Sequence, residues 1–497
     1  MEVAQMGRPV VIVGAADVTE DYKTSEKDAM ELAAEAALKA VEGAGKEPGI
    51  LREADGVLTI PPGHVTVEYS IGVSQKLGMA NETYYSSTSG GSSPVELVNL
   101  AAKLIGTGWH EFLVIASGDN IGSHRRTNFN VYMSAIQLLF TSLYTKREAD
   151  HGLNLPAPSY AMYGIAHAAK RGYTIEELQR AYAEMIAAFS RVASGYPPAK
   201  SKEVVTAEEV LKSPPVALPF TMLMCANPRV DQGNALLVMS EEKAKALGIG
   251  EERWVYVHGG GDFTDHKSTE DEKEFAEMLP ARIAILRALA RAGIRLERVG
   301  DEIRHFDIYS CFPSVVNYVT GALGMEFRDY ERFTLTGGLP RRGGAGSLYS
   351  MSALAAMYER LARDGGKGLV YGIGGASSAH GAVVLGKERR DTVVGAASSP
   401  ELAEAMRAHA AVPRATLDPN PSGRARIVTY TVIYENRLRG KDIEPYAVCI
   451  GRGSGGQFTA NIDGVEPREI AAMKPSDVVG RECRVETSGK GITRMYW

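Results

Sequence analysis

An order of elements that occurs twice constrains this chain of 497 residues more than any single motif does. Arg8-Pro9 leads into Val10-Val11-Ile12-Val13-Gly14-Ala15, a β-branched run that suits a strand buried on both faces. A helix follows, started at Ser25 with Asp28 three residues on, and Leu32, Ala33, Ala36, Leu38 and Val41 form its apolar side. Residues 56–60 and Tyr84-Tyr85 read as further strands. After a turn at Ser87-Thr88-Ser89-Gly90-Gly91, the run Ser93-Pro94-Val95-Glu96 opens a second helix with serine at the cap and proline at its first position. Residues 112–116 and 231–239 complete this half as strands. The plan then returns: strand 254–258, helix 275–292, strand 306–309, helix 351–361, and strands 368–371 and 382–385 on either side of Gly372-Ile373-Gly374-Gly375. Strand and helix alternating in the same order twice predict an α/β protein made of two copies of one unit, alike in order and not in residue identity.

Two stretches fall outside this plan. Between 118 and 222 arginines, tyrosines and prolines break the pattern, apart from a helix at 175–194 capped by Thr174 and Glu177; so long an excursion from an α/β core reads as an insertion covering a site. From Arg424 onward short alternating runs at 427–434, 446–450, 457–462, 483–486 and 493–497 predict a small all-β barrel, joined through a proline-rich linker at 413–422. A single core stops growing at about 250–300 residues. We therefore expect a first half at 1–117 and 223–250, an insertion domain at 118–222, a second half at 251–390 and a β domain at 411–497.

Composition removes several function classes. A net charge of -5 without basic blocks gives no field for nucleic acid, and the terminal barrel suits a lid or docking module better than a nucleic-acid binder. Cys225, Cys311, Cys449 and Cys483 lack C-x-x-C spacing, so neither a disulfide framework nor a metal site is expected. No apolar run reaches the roughly 18 residues of a membrane span, and no basic-plus-apolar leader opens the chain; we expect a cytoplasmic protein. The glycine-rich runs fit none of the spaced phosphate-binding patterns.

Four segments carry a resemblance. Ser87-Thr88-Ser89-Gly90 resembles the Cys-Ala-Ser/Thr-Gly turn of the thiolase superfamily, with serine at the place of the nucleophilic cysteine. Tyr309-Ser310-Cys311-Phe312 resembles its His-Asp-Cys-Phe or Asn-Glu-Ala-Phe segment, whose first residue helps to form an oxyanion hole. The segment Gly337-Gly338-Leu339-Pro340-Arg341-Arg342-Gly343-Gly344 resembles Gly-Gly-x-x-x-x-Gly-His-Pro, with Gly344 at the histidine. Gly372-Ile373-Gly374-Gly375 resembles Cys-x-Gly, with Gly372 at the acid/base cysteine. More narrowly, the order of elements and the extra C-terminal domain resemble the sterol-carrier-protein-like and type 1 thiolase-like members. The resemblance implies a duplicated five-layered fold with a loop domain, an OB-like barrel, a coenzyme A thioester as ligand, a role in lipid metabolism and pairing into a homodimer. It also implies that Tyr309, Gly344, Gly372 and Gly374 line the pocket.

The chemistry at that pocket stays open in the sequence. Ser87 reads either as a nucleophile forming an acyl ester or as a small turn residue, and His380 as a relocated base or as a hydrogen-bonded histidine at a strand start. His305 lies four residues before Tyr309 on one strand, on the same side of it. Cys311 beside Phe312 and Pro313 reads as a buried thiol. Arg125-Arg126 and Arg341-Arg342 are either phosphate contacts for coenzyme A or solvated surface. The expected protein binds an acyl-CoA or related thioester, and is either inactive as a thiolase or an altered acyltransferase. The alternative is a non-catalytic partner subunit docking through its C-terminal domain.

Overall fold

The computed structural model describes residues 5–63, 68–81, 83–127, 143–265, 268–272, 274–435 and 443–497. The first half supplies strands β1 (Val10–Glu20), β2 (Gly56–Thr59), β3 (Thr83–Ser86) and β4 (Phe112–Asp119). After a two-strand ribbon of β5 (Pro215–Ala217) and β6 (Phe220–Thr221) it closes with β7 (Asp231–Ser240). The second half supplies β8 (Val255–Thr264), β9 (His305–Ile308), β10 (Lys367–Gly374) and β11 (Ala379–Gly386). Together they form one sheet in the order β3-β2-β4-β7-β1-β8-β11-β10-β9. In each half the opening strand is antiparallel to the closing one, the closing strand is antiparallel to its other neighbour, and that neighbour is parallel to the next. The duplication is thus a property of the pairing. The copies join where Val11 and Ile12 pair with Tyr256 and Val255.

The apolar runs are explained by helices on both faces. Helix α1 (Ala29–Gly43) covers one side of β1, β4 and β7, and α2 (Ser93–Gly106) lies on the other. Val11 and Val13 join the α1 core with Ala33 and Ala37, while Val10 and Ile12 join the α2 core with Val95 and Val98, as the period of two requires. After α3 (Pro156–Arg171) and α4 (Ile175–Gly195) of the middle stretch, the second half repeats the pattern with α5 (Leu279–Ala292) outside β8 and β11. Helix α6 (Tyr349–Asp364) sits beside α2 between the halves. Taken half by half, α1, the strands of the first half, α2 with α6, the strands of the second half and α5 give the layer order α-β-α-β-α, the two β layers being continuous through the β1–β8 pairing. Glycine lets the outer helices approach in both copies: a Cβ at Gly118 would meet Ala29 O at 2.1 Å, and one at Gly261 would meet Ala284 O at 2.1 Å.

Helix starts differ from the sequence expectation at α1, α2 and α5, and by two residues at α6, which begins at Tyr349. Asp28, not Ser25, caps α1: its carboxylate accepts from Glu31 N at 2.7 Å and Glu31 accepts from Asp28 N at 2.9 Å. Ser92 is the cap of α2, and Ser93 instead donates through Oγ to Thr88 O at 2.6 Å, closing the preceding turn. Helix α5 begins at Leu279 rather than 275, because Pro280 has no N–H to offer a preceding turn, and Phe275 and Met278 go into the core.

Helix α7 (Pro400–Ala411) packs on α5 and leads to the C-terminal strands β12 (Gly423–Ile433), β13 (Tyr446–Gly453), β14 (Gly456–Asp463), β15 (Glu482–Thr487) and β16 (Thr493–Tyr496). They run β13-β14-β16-β15-β12, and pairing of β12 with β13 closes a five-stranded barrel. The β5–β6 ribbon adds to β12 where Ala217 pairs with Ile433. Thr429 Oγ1 donates to Met162 O of α3 at 2.6 Å, and Gln457 Nε2 to Glu270 O at 2.6 Å, so the barrel is hydrogen-bonded to the rest of the chain. No helix among the described residues is long and apolar enough to cross a membrane.

Candidate functional site

Helices α2 and α6 both begin at the end of the sheet where β2 and β3 terminate, and the segments singled out in the sequence meet there. Ser87 N donates to Thr59 O at 2.9 Å, and Ser350 Oγ at the start of α6 donates to Gly91 O at 2.6 Å. Glycine is dictated by this crowding. A Cβ at Gly91 would lie 2.4 Å from Tyr309 Cζ, and one at Gly372 would lie 2.6 Å from Gly91 O. At Gly374 it would lie 3.1 Å from Gly90 Cα, and at Gly344 it would lie 3.1 Å from Tyr349 Cβ. The Tyr349 ring stands edge-on to Tyr309, centroids 5.4 Å apart. Tyr309, Gly344, Gly372 and Gly374 therefore belong to one junction with Gly90 and Gly91, and the only large side chain among them is Tyr309.

Tyr309 is 8% exposed, and its hydroxyl makes no hydrogen bond to a described residue. Burial pushes its phenol far above the usual range, so the hydroxyl stays protonated. Its partner Tyr349 is fixed differently: its hydroxyl donates to Asp307 Oδ1 at 2.9 Å. The other Asp307 oxygen accepts from Leu335 N at 2.8 Å and Thr336 N at 3.2 Å, which anchors the start of the loop that carries Gly344. Burial raises the Asp307 carboxyl to about 6 in spite of these donors. Asp307 carried a signal in the sequence, a lone acid inside the apolar run Phe306-Asp307-Ile308.

The two catalytic candidates do not meet. Ser87 is half-buried and its Oγ donates to Thr88 O at 3.1 Å. His380 is fully buried; its Nε2 faces Ser377 O at 2.9 Å, which fixes the proton there, and Nδ1 accepts from Tyr371 Oη at 2.8 Å. His305 lies at the opposite end of β9: four residues at about 3.3 Å each carry it roughly 13 Å from Tyr309. Cys311 is buried and its thiol is pushed well up. Arg341 and Arg342 are neither solvated nor available for phosphate. Arg342 is fully buried and paired with Asp17, and Arg341 donates to Glu203 O. The side chains of Arg125 and Arg126 lie outside the described residues. Among the described residues no cluster of three metal-ligating side chains occurs.

Sequence reasoning missed a second group beside the junction. The tip of the β10–β11 hairpin is left-handed at Gly375, Ala376 and Ser377 (φ 59°, 53° and 73°). Ser377 Oγ donates to Tyr163 Oη at 2.5 Å, and Tyr163 donates to Glu272 Oε2 at 2.7 Å.

No protein-family model matches the chain. Its structure is similar to that of a monomeric SCP2-thiolase like protein type 1 from Mycobacterium smegmatis, with a TM-score of 0.81, 28% identity and 98% of each chain covered. In sequence it is 27% identical over 245 residues to a steroid side-chain-cleaving aldolase of Thermomonospora curvata, covering 48% of this chain and 60% of that protein. It is also 27% identical over 179 residues to an acetyl-CoA acetyltransferase of Methanocaldococcus jannaschii, covering 36% of this chain and 42% of that one. The chain thus spans about half the length of the curated relatives it matches.

Proposed function

We propose, for this chain of the thiolase superfamily, that the junction of Gly91, Tyr309, Gly344, Gly372 and Gly374 binds an acyl-CoA or related thioester and acts on it without a covalent acyl-cysteine. One observation carries the reading: Tyr309 is only 8% exposed, its ring lies against Gly91 at the entry to α2, and its hydroxyl has no hydrogen-bond partner among the described residues, yet is not sealed off by the packing. A donor left open on an otherwise buried ring is available to a ligand that enters the junction. A thioester oxygen placed there meets the phenol O–H, with the outward N–H groups at the start of α2 close by, an arrangement that stabilises charge as it develops on that oxygen. Gly344 and Gly372 offer no side chain for a thiolate–imidazole reaction. Aldol cleavage, the chemistry named for one curated relative, passes through an enolate next to a carbonyl, which is the charge these donors would hold.

In this reading residues 118–222 are the insertion over the junction, 411–497 an OB-like brace, and Ser87 a turn residue. The protein works in the cytoplasm, and any homodimer would form through the outer strand β3, where Tyr84 is 42% exposed. Intact-mass measurement after incubation with acetyl-CoA tests the covalent step. The expected result is no adduct. An acetyl adduct that vanishes in Ser87→Ala would establish Ser87 as a nucleophile and overturn the non-covalent reading.

A further inference from the structure

The junction has a donor in Tyr309 but, at Gly344 and Gly372, no side chain that can move a proton. The strained tip of the neighbouring hairpin supplies one. Three consecutive left-handed residues, two of them not glycine, occur nowhere else among the described residues. Such backbone persists only where its surroundings enforce it, and it concentrates at functional sites. Here the surroundings are visible. His380 donates from Nε2 to Ser377 O, and Ser378 N donates to Gly374 O and Gly375 O at 3.1 Å each. The conformation turns Ser377 Oγ toward Tyr163 of α3, three residues beyond Gly374, whose backbone packs on Gly90. Tyr163 in turn reaches Glu272, whose Oε1 also accepts from Glu274 N at 3.3 Å. The donors run in one direction, serine to tyrosine to carboxylate. Each member is buried: Ser377 is 1% exposed, Tyr163 0% and Glu272 3%.

We propose that Ser377, relayed through Tyr163 to Glu272, is the acid/base of this site, and that His380 is a positioning residue that holds the Ser377 peptide. The inference rests on the thioester reading above. In the forward step the α-carbon of the bound acyl-CoA gives its proton to Ser377 Oγ, the serine proton passes to Tyr163 Oη, and the tyrosine proton passes to the Glu272 carboxylate. The C–H electron pair becomes the enolate, whose oxygen lies at the Tyr309 hydroxyl. The reverse transfers restore every group, so no other reactant is needed.

Exchange of the acetyl protons of acetyl-CoA in deuterated water, followed by NMR on the full chain, tests the relay, with affinity measured in parallel by titration calorimetry. Tyr163→Phe keeps the ring packing, and Glu272→Gln keeps an acceptor for Tyr163 while losing the base. Each is expected to slow exchange by roughly 10²-fold or more, with affinity changed less than about threefold. Exchange at the parent rate in Glu272→Gln, in a protein that binds acetyl-CoA normally, would overturn the relay and leave the thioester reading standing. Absence of acetyl-CoA binding in the parent would overturn both. Ser377→Ala is the direct variant; if it does not fold, the other two decide.

Discussion

Tyr309 shows how little of a site one residue reveals in sequence. Its place in the Tyr309-Ser310-Cys311-Phe312 segment marked it as a pocket position, but only the structure shows its hydroxyl without a partner among the described residues and its ring against Gly91. Ser377, Tyr163 and Glu272 were not legible at all, because the bonds that join them span 214 and 109 residues and no local pattern links them. Arg342 misled in the opposite sense, since an Arg-Arg pair in a glycine-rich loop reads as surface. Instead it is fully buried against Asp17, which also accepts from Asn234 Nδ2 at 2.9 Å and Tyr196 Oη at 2.8 Å. Removing one partner of a buried pair strands the other charge, so Asp17→Ala should cost about 3–5 kcal/mol in chemical denaturation. A second residue gives a pH signature. Burial raises the Asp119 carboxyl from 3.8 to about 7. Between those values the folded chain holds a proton that the unfolded chain releases. The stability this group supplies is therefore complete below 3.8 and is lost as the pH rises to about 7. The stability difference between the parent and Asp119→Asn, followed by denaturation across that window, should decline with rising pH and level off above it.

At the scale of elements the sequence carried most of the fold, because apolar periodicity and caps are local. Helix α4 was legible to its cap: Thr174 Oγ1 accepts from Glu177 N at 3.2 Å and Glu177 Oε2 accepts from Thr174 N at 2.8 Å. Thr174→Ala should cost roughly 1 kcal/mol of stability, read from a denaturation midpoint. Caps were misplaced where the deciding quantity is conformation. Asp28 takes an extended backbone (φ -79°, ψ 169°) while Ser25, equally suited by type, sits outside the helix. The hairpin β10–β11 was legible as two strands, but Gly372 to Gly374 belong to β10 rather than to the turn, since they pack against the entry to α2. Gly372→Ala would drive a methyl into Gly91 O, a strain of the kind that costs about 1–3 kcal/mol, and should weaken acetyl-CoA binding by calorimetry along with stability.

At the scale of the molecule the duplication was legible as an order of strands, and the structure adds that both copies share one pairing pattern and one sheet. The barrel was legible through alternation; its closure and its seat were not, because they depend on distant partners such as Met162 and Glu270. Its seat includes Arg147 on Asp418 O and His151 Nε2, which accepts from Thr493 N at 2.8 Å. A chain ending at 410 loses these partners and exposes the buried face of α3, so it should be recovered in aggregates; a monodisperse, folded product by size exclusion and circular dichroism would contradict that view. The whole architecture converges on one junction, and calorimetric titration of acetyl-CoA into the full chain tests it most directly. Saturable one-to-one binding is predicted, weakened about tenfold in Tyr309→Phe by the loss of one hydrogen-bond donor to the ligand. Absence of binding at millimolar acetyl-CoA, or equal affinity in the parent and Tyr309→Phe, would contradict it.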